Sequence, residues 1–113
     1  MGAFALPEAP MSSTTVHFIT FKQTALAQGF DEVAERDWAP GQVLDTHRHP
    51  FSVEALVVHG ELWLTQGDTT RHLRAGERFE LARDVPHAER YGPEGAVVWV
   101  ARLHGRAERD AED

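Results

Sequence analysis

From Val33 onward, glycine and other turn residues cut this chain into pieces too short for ordinary helices. Pro40-Gly41 ends VAERDWA (Val33–Ala39), and His59-Gly60 separates VEALVV from ELWLT. Gln66-Gly67-Asp68 precedes TTRHLR, Ala75-Gly76 precedes ERFEL, and AVVWVARL (Ala96–Leu103) closes the series. Each run holds four to eight residues and is rich in β-branched or aromatic side chains. That length and composition suit strands, and the turn residues between them supply the chain reversals. Regular punctuation of this kind predicts an all-β fold, an antiparallel sandwich or barrel. Upstream, VHFIT (Val16–Thr20) reads as an edge strand. FKQTALAQGF (Phe21–Phe30) is the one segment with a candidate helical turn.

The chain has 113 residues, the size of one domain. Its 42% hydrophobic and 26% charged residues are ordinary for a globular protein. Eighteen acidic and 11 basic side chains give a net charge of −7, and no basic stripe offsets it, so nucleic acid is not expected as a partner. No apolar run is long enough to span a bilayer, and MGAFALPEAP lacks the features of a signal peptide. With no cysteine there is no disulfide, which agrees with a cytoplasmic location. Residues 1–14 read as a flexible extension, with Met11 a possible second start. Residues 15–104 read as the barrel domain, and the acidic run GRAERDAED (105–113) as a solvated tail.

Chemistry concentrates in DTHRHPFSVE (Asp45–Glu54). Residues two apart in a strand share a face, so His47 and His49 point together and Arg48 points away. Glu54 follows after Pro50, where the chain must turn, and shares a strand face with Leu56 and Val58. A lone carboxylate on an apolar face is costly. A cation shared with the two imidazoles would relieve it, and so would an arginine. His87, after Asp84-Val85-Pro86, offers a third imidazole. Three histidines and a carboxylate suit Fe, Mn, Ni, Co, Cu or Zn as a divalent ion.

These residues resemble the metal motifs of the cupin superfamily. The first family motif runs glycine, five residues, His-x-His, three or four residues, Glu, six residues, glycine. Here it reads Gly41, QVLDT, His47-Arg48-His49, PFSV, Glu54, and a closing Gly60 after five residues instead of six. In the second motif Gly76 and His87 fall in register. Ala82, Asp84 and Tyr91 stand where proline, glycine and asparagine are usual. The resemblance covers about Val33 to Leu103. It implies a double-stranded β-helix (jelly-roll) barrel with one divalent transition metal on His47, His49, Glu54 and His87, and a homodimer.

Glu89 lies two residues past His87 and so shares its face, where a carboxylate could serve as a general base. Tyr91 continues that face as a candidate substrate-binding wall or hydroxyl donor. His17, His59, His72 and His104 read as structural or solvent-facing. The expected function is that of a metal-dependent enzyme, dioxygenase- or lyase-like, acting on a small organic molecule. The alternatives are a non-catalytic small-ligand binding or sensing protein with the metal as anchor, and a barrel whose site holds nothing.

Overall fold

The computed structural model describes residues 9–104, with side chains from His17 onward. A helix, α1 (Ala9–Ala27), precedes six strands: β1 (Glu32–Trp38), β2 (Val43–His47), β3 (Ser52–Gln66), β4 (Thr69–Arg74), β5 (Arg78–Leu81) and β6 (His87–Leu103). All strand pairs are antiparallel. The order is β1-β6-β3-β4, with β2 also on β6 and β5 also on β3. This is the expected all-β double-stranded β-helix.

Two long strands carry the architecture. β3 spans 15 residues and β6 spans 17, so VEALVV and ELWLT belong to one strand. Gly60, expected at a turn between them, marks a bend within it. The β3–β6 register shifts between Val57 and His59 and again between Gly60 and Leu62. Gly60 has φ 76°, and a Cβ there would sit 2.1 Å from the Gly95 carbonyl oxygen. Gly95 has φ 73°, and a Cβ on it would meet the Trp38 carbonyl oxygen at 2.3 Å. Only glycine permits both the left-handed backbone and that approach. The bend lets one half of β6 pair with β1 and the other half with β2.

Side chains alternate across these strands. Val53, Ala55 and Val57 of β3 face inward with Val98 of β6, and Leu62 and Leu64 continue the core beyond the bend. Leu62, Leu64, Val57 and Val98 are at most 2% exposed. Each contributes roughly 1.5–3 kcal/mol through burial. The outward set of β3 and β6 includes Glu54, Leu56 and Trp99. Leu56 pairs with Trp99, and Glu54 with Ala101.

α1 packs on this outer face and corrects one expectation. Val16–Thr20 is helical, not an edge strand. Phe18 and Phe21 meet the Trp99 ring at centroid distances of 5.3 and 5.7 Å, and Ala25 is buried one turn further on. The 18, 21, 25 spacing places these side chains on one helical face. Burial of Trp99 outweighs the modest helix penalty of β-branched Val16, Ile19 and Thr20. Phe30 N–H donates to the Ala25 carbonyl and Gly29 N–H to that of Leu26, which closes the helix in a Schellman turn. The extension expected over residues 1–14 overlaps the start of α1, and its first eight residues lie outside the described residues, as does the tail expected over 105–113. Among the described residues, no helix is long and apolar enough to cross a membrane.

Candidate metal centre

His47 ends β2 and pairs directly with His87, which opens β6. His49 lies in the loop after β2. Asp84 N–H donates to the His49 carbonyl at 2.8 Å, which joins that loop to the turn before His87. Asp84 has φ 63°, a left-handed conformation that aspartate tolerates better than most residues. The turn thus keeps the backbone shape that glycine serves in the motif it resembles. His47 and His87 lie 4.3 Å apart between ring centroids, His47 and His49 4.8 Å, and His49 and His87 5.1 Å.

One ring nitrogen from each of the three falls within 4.8 Å of the others. His47 Nδ1 lies 2.7 Å from the Asp45 carbonyl oxygen, and His87 Nδ1 lies 2.9 Å from that of Val85. A carbonyl oxygen only accepts, so Nδ1 carries the proton and Nε2 of each neutral ring keeps its lone pair. Metal-binding histidines are commonly held in this way. His87 is 2% exposed, and its Nε2 is enclosed without a hydrogen-bond partner among the described residues. Burial, followed by the neighbouring His47 and His87, pushes His49 below 6.5, which favours its neutral form.

The carboxylate beside these rings is Glu89. Its Oε2 lies 3.3 Å from His87 Nε2 and 3.8 Å from His47 Nε2. Its Oε1 accepts a hydrogen bond from the Tyr91 hydroxyl. Tyr91 is 3% exposed and stacks on Trp38 at a centroid distance of 4.9 Å and 15°. Burial, and then the Glu89 charge, raise the Tyr91 pKa, so the phenol keeps its proton and donates. Of the two roles expected of Tyr91, wall or hydroxyl donor, its hydroxyl takes the second, and the acceptor is Glu89.

Glu54 does not join this group. It alternates with the inward residues Val53 and Ala55 and faces outward, where it lines a cavity of about 540 Å³ with His17, Arg78 and Trp99 under α1. The apolar face it shares with Leu56 is real, but it is the one α1 covers. The sequence held a sign of this. Counting back six residues from Gly60 reaches Val53, and the five-residue gap leaves Glu54 one position out of phase.

A second cavity, of about 60 Å³, reaches His49, Glu89 and Tyr91 from inside the barrel. Arg36, Trp38, Phe51 and Arg102 also line it, and sequence reasoning did not place them there. Phe51 stacks on His49 at 4.8 Å and 11°, and the Arg102 guanidinium lies 5.2 Å from the Phe51 ring centroid. Arg102 shares strand parity with inward Val98 and Val100, a charged residue in step with a core face, which was the available signal. The larger cavity under α1 is separated from the histidines by the sheet. His59 is exposed, His72 pairs with Glu61 at 2.7 Å, and His104 pairs with Glu32 at 2.7 Å, all in structural or surface roles.

No family model matches the chain, and no curated protein matches it. Solved structures do. A Rhizobium leguminosarum protein of unknown function is 22% identical, with a TM-score of 0.61 over 64% of this chain and 68% of its own. A Klebsiella pneumoniae protein with a double-stranded β-helix domain is 27% identical, with a TM-score of 0.57 over 66% of this chain and 68% of its own. An oxalate oxidase is 29% identical, with a TM-score of 0.56 over 64% of this chain but only 41% of its own. An RmlC-like cupin from Shewanella frigidimarina is 23% identical, with a TM-score of 0.56 over 62% of each chain. Together with the antiparallel strand order and the three-histidine group, these likenesses show that the chain has the fold of the cupin superfamily.

Proposed function

We propose that this chain binds one divalent transition metal through His47, His49 and His87, with Glu89 as the carboxylate of the set, and acts as an enzyme on a small organic molecule. The carrying observation is the buried Nε2 of His87, which has no hydrogen-bond partner among the described residues and faces Glu89 Oε2 at 3.3 Å, with its Nδ1 already committed to the Val85 carbonyl. Ligand atoms about 2.1 Å from a common ion lie roughly 3–4.2 Å apart. The separations of 3.3 and 3.8 Å from Glu89 Oε2 to His87 and His47 fall in that window. A mixed nitrogen and oxygen donor set of this kind suits a first-row divalent ion. When bound, such an ion supplies Lewis acidity or oxygen activation, in keeping with dioxygenase- or lyase-like chemistry.

The chain's own groups do the remaining work. Asp45 and Val85 carbonyls orient two imidazoles, and the Asp84–His49 hydrogen bond holds the third ligand's backbone. Tyr91 fixes Glu89 Oε1 and leaves Oε2 turned to the histidines. Apolar neighbours, including Val53 and Leu81, restrict water in the small cavity. The likeness to oxalate oxidase, at 29% identity, supports an enzymatic reading over a purely structural barrel.

The test is metal analysis followed by turnover. Purified protein, stripped and reconstituted, is expected to hold about one ion per chain, and His49→Ala is expected to lose it while the far-ultraviolet spectrum stays unchanged. No uptake of any first-row divalent ion would overturn the proposal. Oxygen uptake or product formation with small acids, diketones and phenolics separates an enzyme from the alternative binding protein.

A further inference from the structure

We infer that the cavity under α1 is a second ligand site, built for a small zwitterion with an apolar body, such as an apolar amino acid. The ligand's ammonium group meets Glu54 and its carboxylate meets Arg78. The cavity measures about 540 Å³, within the roughly 300–1,000 Å³ of small-molecule sites. It lies on the outer side of β3, away from His47, His49 and His87, so it does not depend on the metal-site reading.

Charge on the sheet side of the cavity falls into two rows. Glu54 of β3 pairs in register with Glu80 of β5, and the next outward pair along the strands is Leu56 with Arg78. Like charges directly opposite repel, and a cation beside them relieves the repulsion. At Arg78 the sign reverses. The Arg71 guanidinium donates to the Arg78 carbonyl at 3.3 Å, so two arginines gather there. Glu54 and Arg78 stand diagonally, with backbones about 7–8 Å apart. Neither makes an ion pair among the described residues. A carboxylate and a guanidinium that face one cavity without meeting each other are complementary to a molecule carrying both opposite charges.

Between the charges the walls are apolar. Leu56 pairs with Trp99 across β3 and β6, and the Phe21 ring of α1 lies 5.7 Å from that of Trp99 between centroids. Aromatic faces also favour an ammonium group beside them. From above, α1 turns Thr20, Thr24 and Gln28 to the same cavity. Their four-residue spacing makes a polar ridge beside the packed ridge of Phe18, Phe21 and Ala25. A polar ridge turned toward the sheet adds little to packing and offers hydrogen-bonding groups to a ligand.

The experiment compares L-phenylalanine with phenylethylamine, which lacks the carboxylate, and phenylpropanoate, which lacks the ammonium. Binding is measured by calorimetry on the full-length protein. Phenylalanine is expected to bind at least tenfold more tightly than either analogue. Glu54→Gln should weaken phenylalanine and phenylethylamine about tenfold or more and leave phenylpropanoate unchanged. Arg78→Gln should do the reverse, weakening phenylalanine and phenylpropanoate alone. Arg78 is exposed, so this variant decides the matter if Glu54→Gln fails to fold. Metal content should stay at the native level in both. Three results would overturn the site: no binding of phenylalanine or the smaller leucine, equal affinity for all three probes, or folded variants that bind phenylalanine normally. Each would leave metal uptake by the histidines standing, and loss of metal uptake would leave the zwitterion site standing.

Discussion

Tyr91→Phe isolates one oxygen atom. The phenylalanine ring keeps the stack on Trp38, at 4.9 Å and 15° between the native rings, and removes only the donor to Glu89 Oε1. Glu89 is 10% exposed, so water replaces that donor poorly. A hydrogen bond to a charged group contributes about 1.5–3 kcal/mol. Loss of a group that orients a metal ligand typically costs 10–100-fold in affinity, or about 1.4–2.8 kcal/mol, and the two scales agree. The lost donor also frees Oε1 as a second oxygen able to turn toward the histidines, which works in the opposite direction. Orientation wins, because a released glutamate has roughly 1.5–2 kcal/mol of rotamer entropy to lose each time it returns to the histidines. Chelator competition should therefore show metal affinity 10–100-fold below that of the native protein, and urea unfolding of the metal-free variant should show a loss of about 1.5–3 kcal/mol. Native metal affinity in a folded Tyr91→Phe protein would refute the positioning role of Tyr91.

The two carboxylates separate in the same assay: Glu89→Gln should lower metal affinity at least ~100-fold, and Glu54→Gln should leave it within about twofold. Gly95→Ala forces a Cβ to 2.3 Å from the Trp38 carbonyl oxygen at φ 73°, and should destabilise the protein by at least ~2 kcal/mol in chemical unfolding. His49 sits below 6.5 in the folded protein, so its contribution to stability is complete above about 6.5 and is lost as the pH falls through the depressed folded value. Metal-free protein should lose thermal stability between pH 7 and 5, and His49→Gln should flatten part of that slope. Hydrogen bonding to His104 holds Glu32 below 4.5, so its stabilisation is present above 4.5 and disappears only as the pH falls through that lower value. A Glu32→Gln comparison in acid checks it.

The strand pattern from Val33 to Leu103 was legible because glycine spacing and alternation are local properties. His47 and His49 were legible as a close local pair, although His49 sits in the loop after β2 and not on a strand face. His87 was legible from its register in the motif the chain resembles. Glu54 and the helix were harder. Whether a strand face points inward or outward depends on what packs against it, and Glu54 sits on a face that α1 covers. The residues of Val16–Thr20 favour a strand by composition, and only docking onto Trp99, far along the chain, makes them helical. Arg102 shows a different limit. Its parity with Val98 and Val100 was visible, but its proximity to His49 depends on the bent pairing of β6 with β1 and β3. Glu89 was placed on the correct face, while its engagement by Tyr91 needed the rotamers of both.

The five-residue gap between Glu54 and Gly60 makes strand length a switch between ligand sets. The bend pins Gly60 against Gly95, so added length upstream is taken up toward the loop that carries His49. One extra residue between Glu54 and Gly60 would move Glu54 into the inward place that Val53 now fills, and Val53 would fall back into the loop. The barrel interior would then hold two carboxylates near three histidines, one arriving on β3 and one on β6. The chain as it stands keeps the β6 carboxylate alone, so the charge presented at the centre is set by a single residue of spacing, without any change in the histidines.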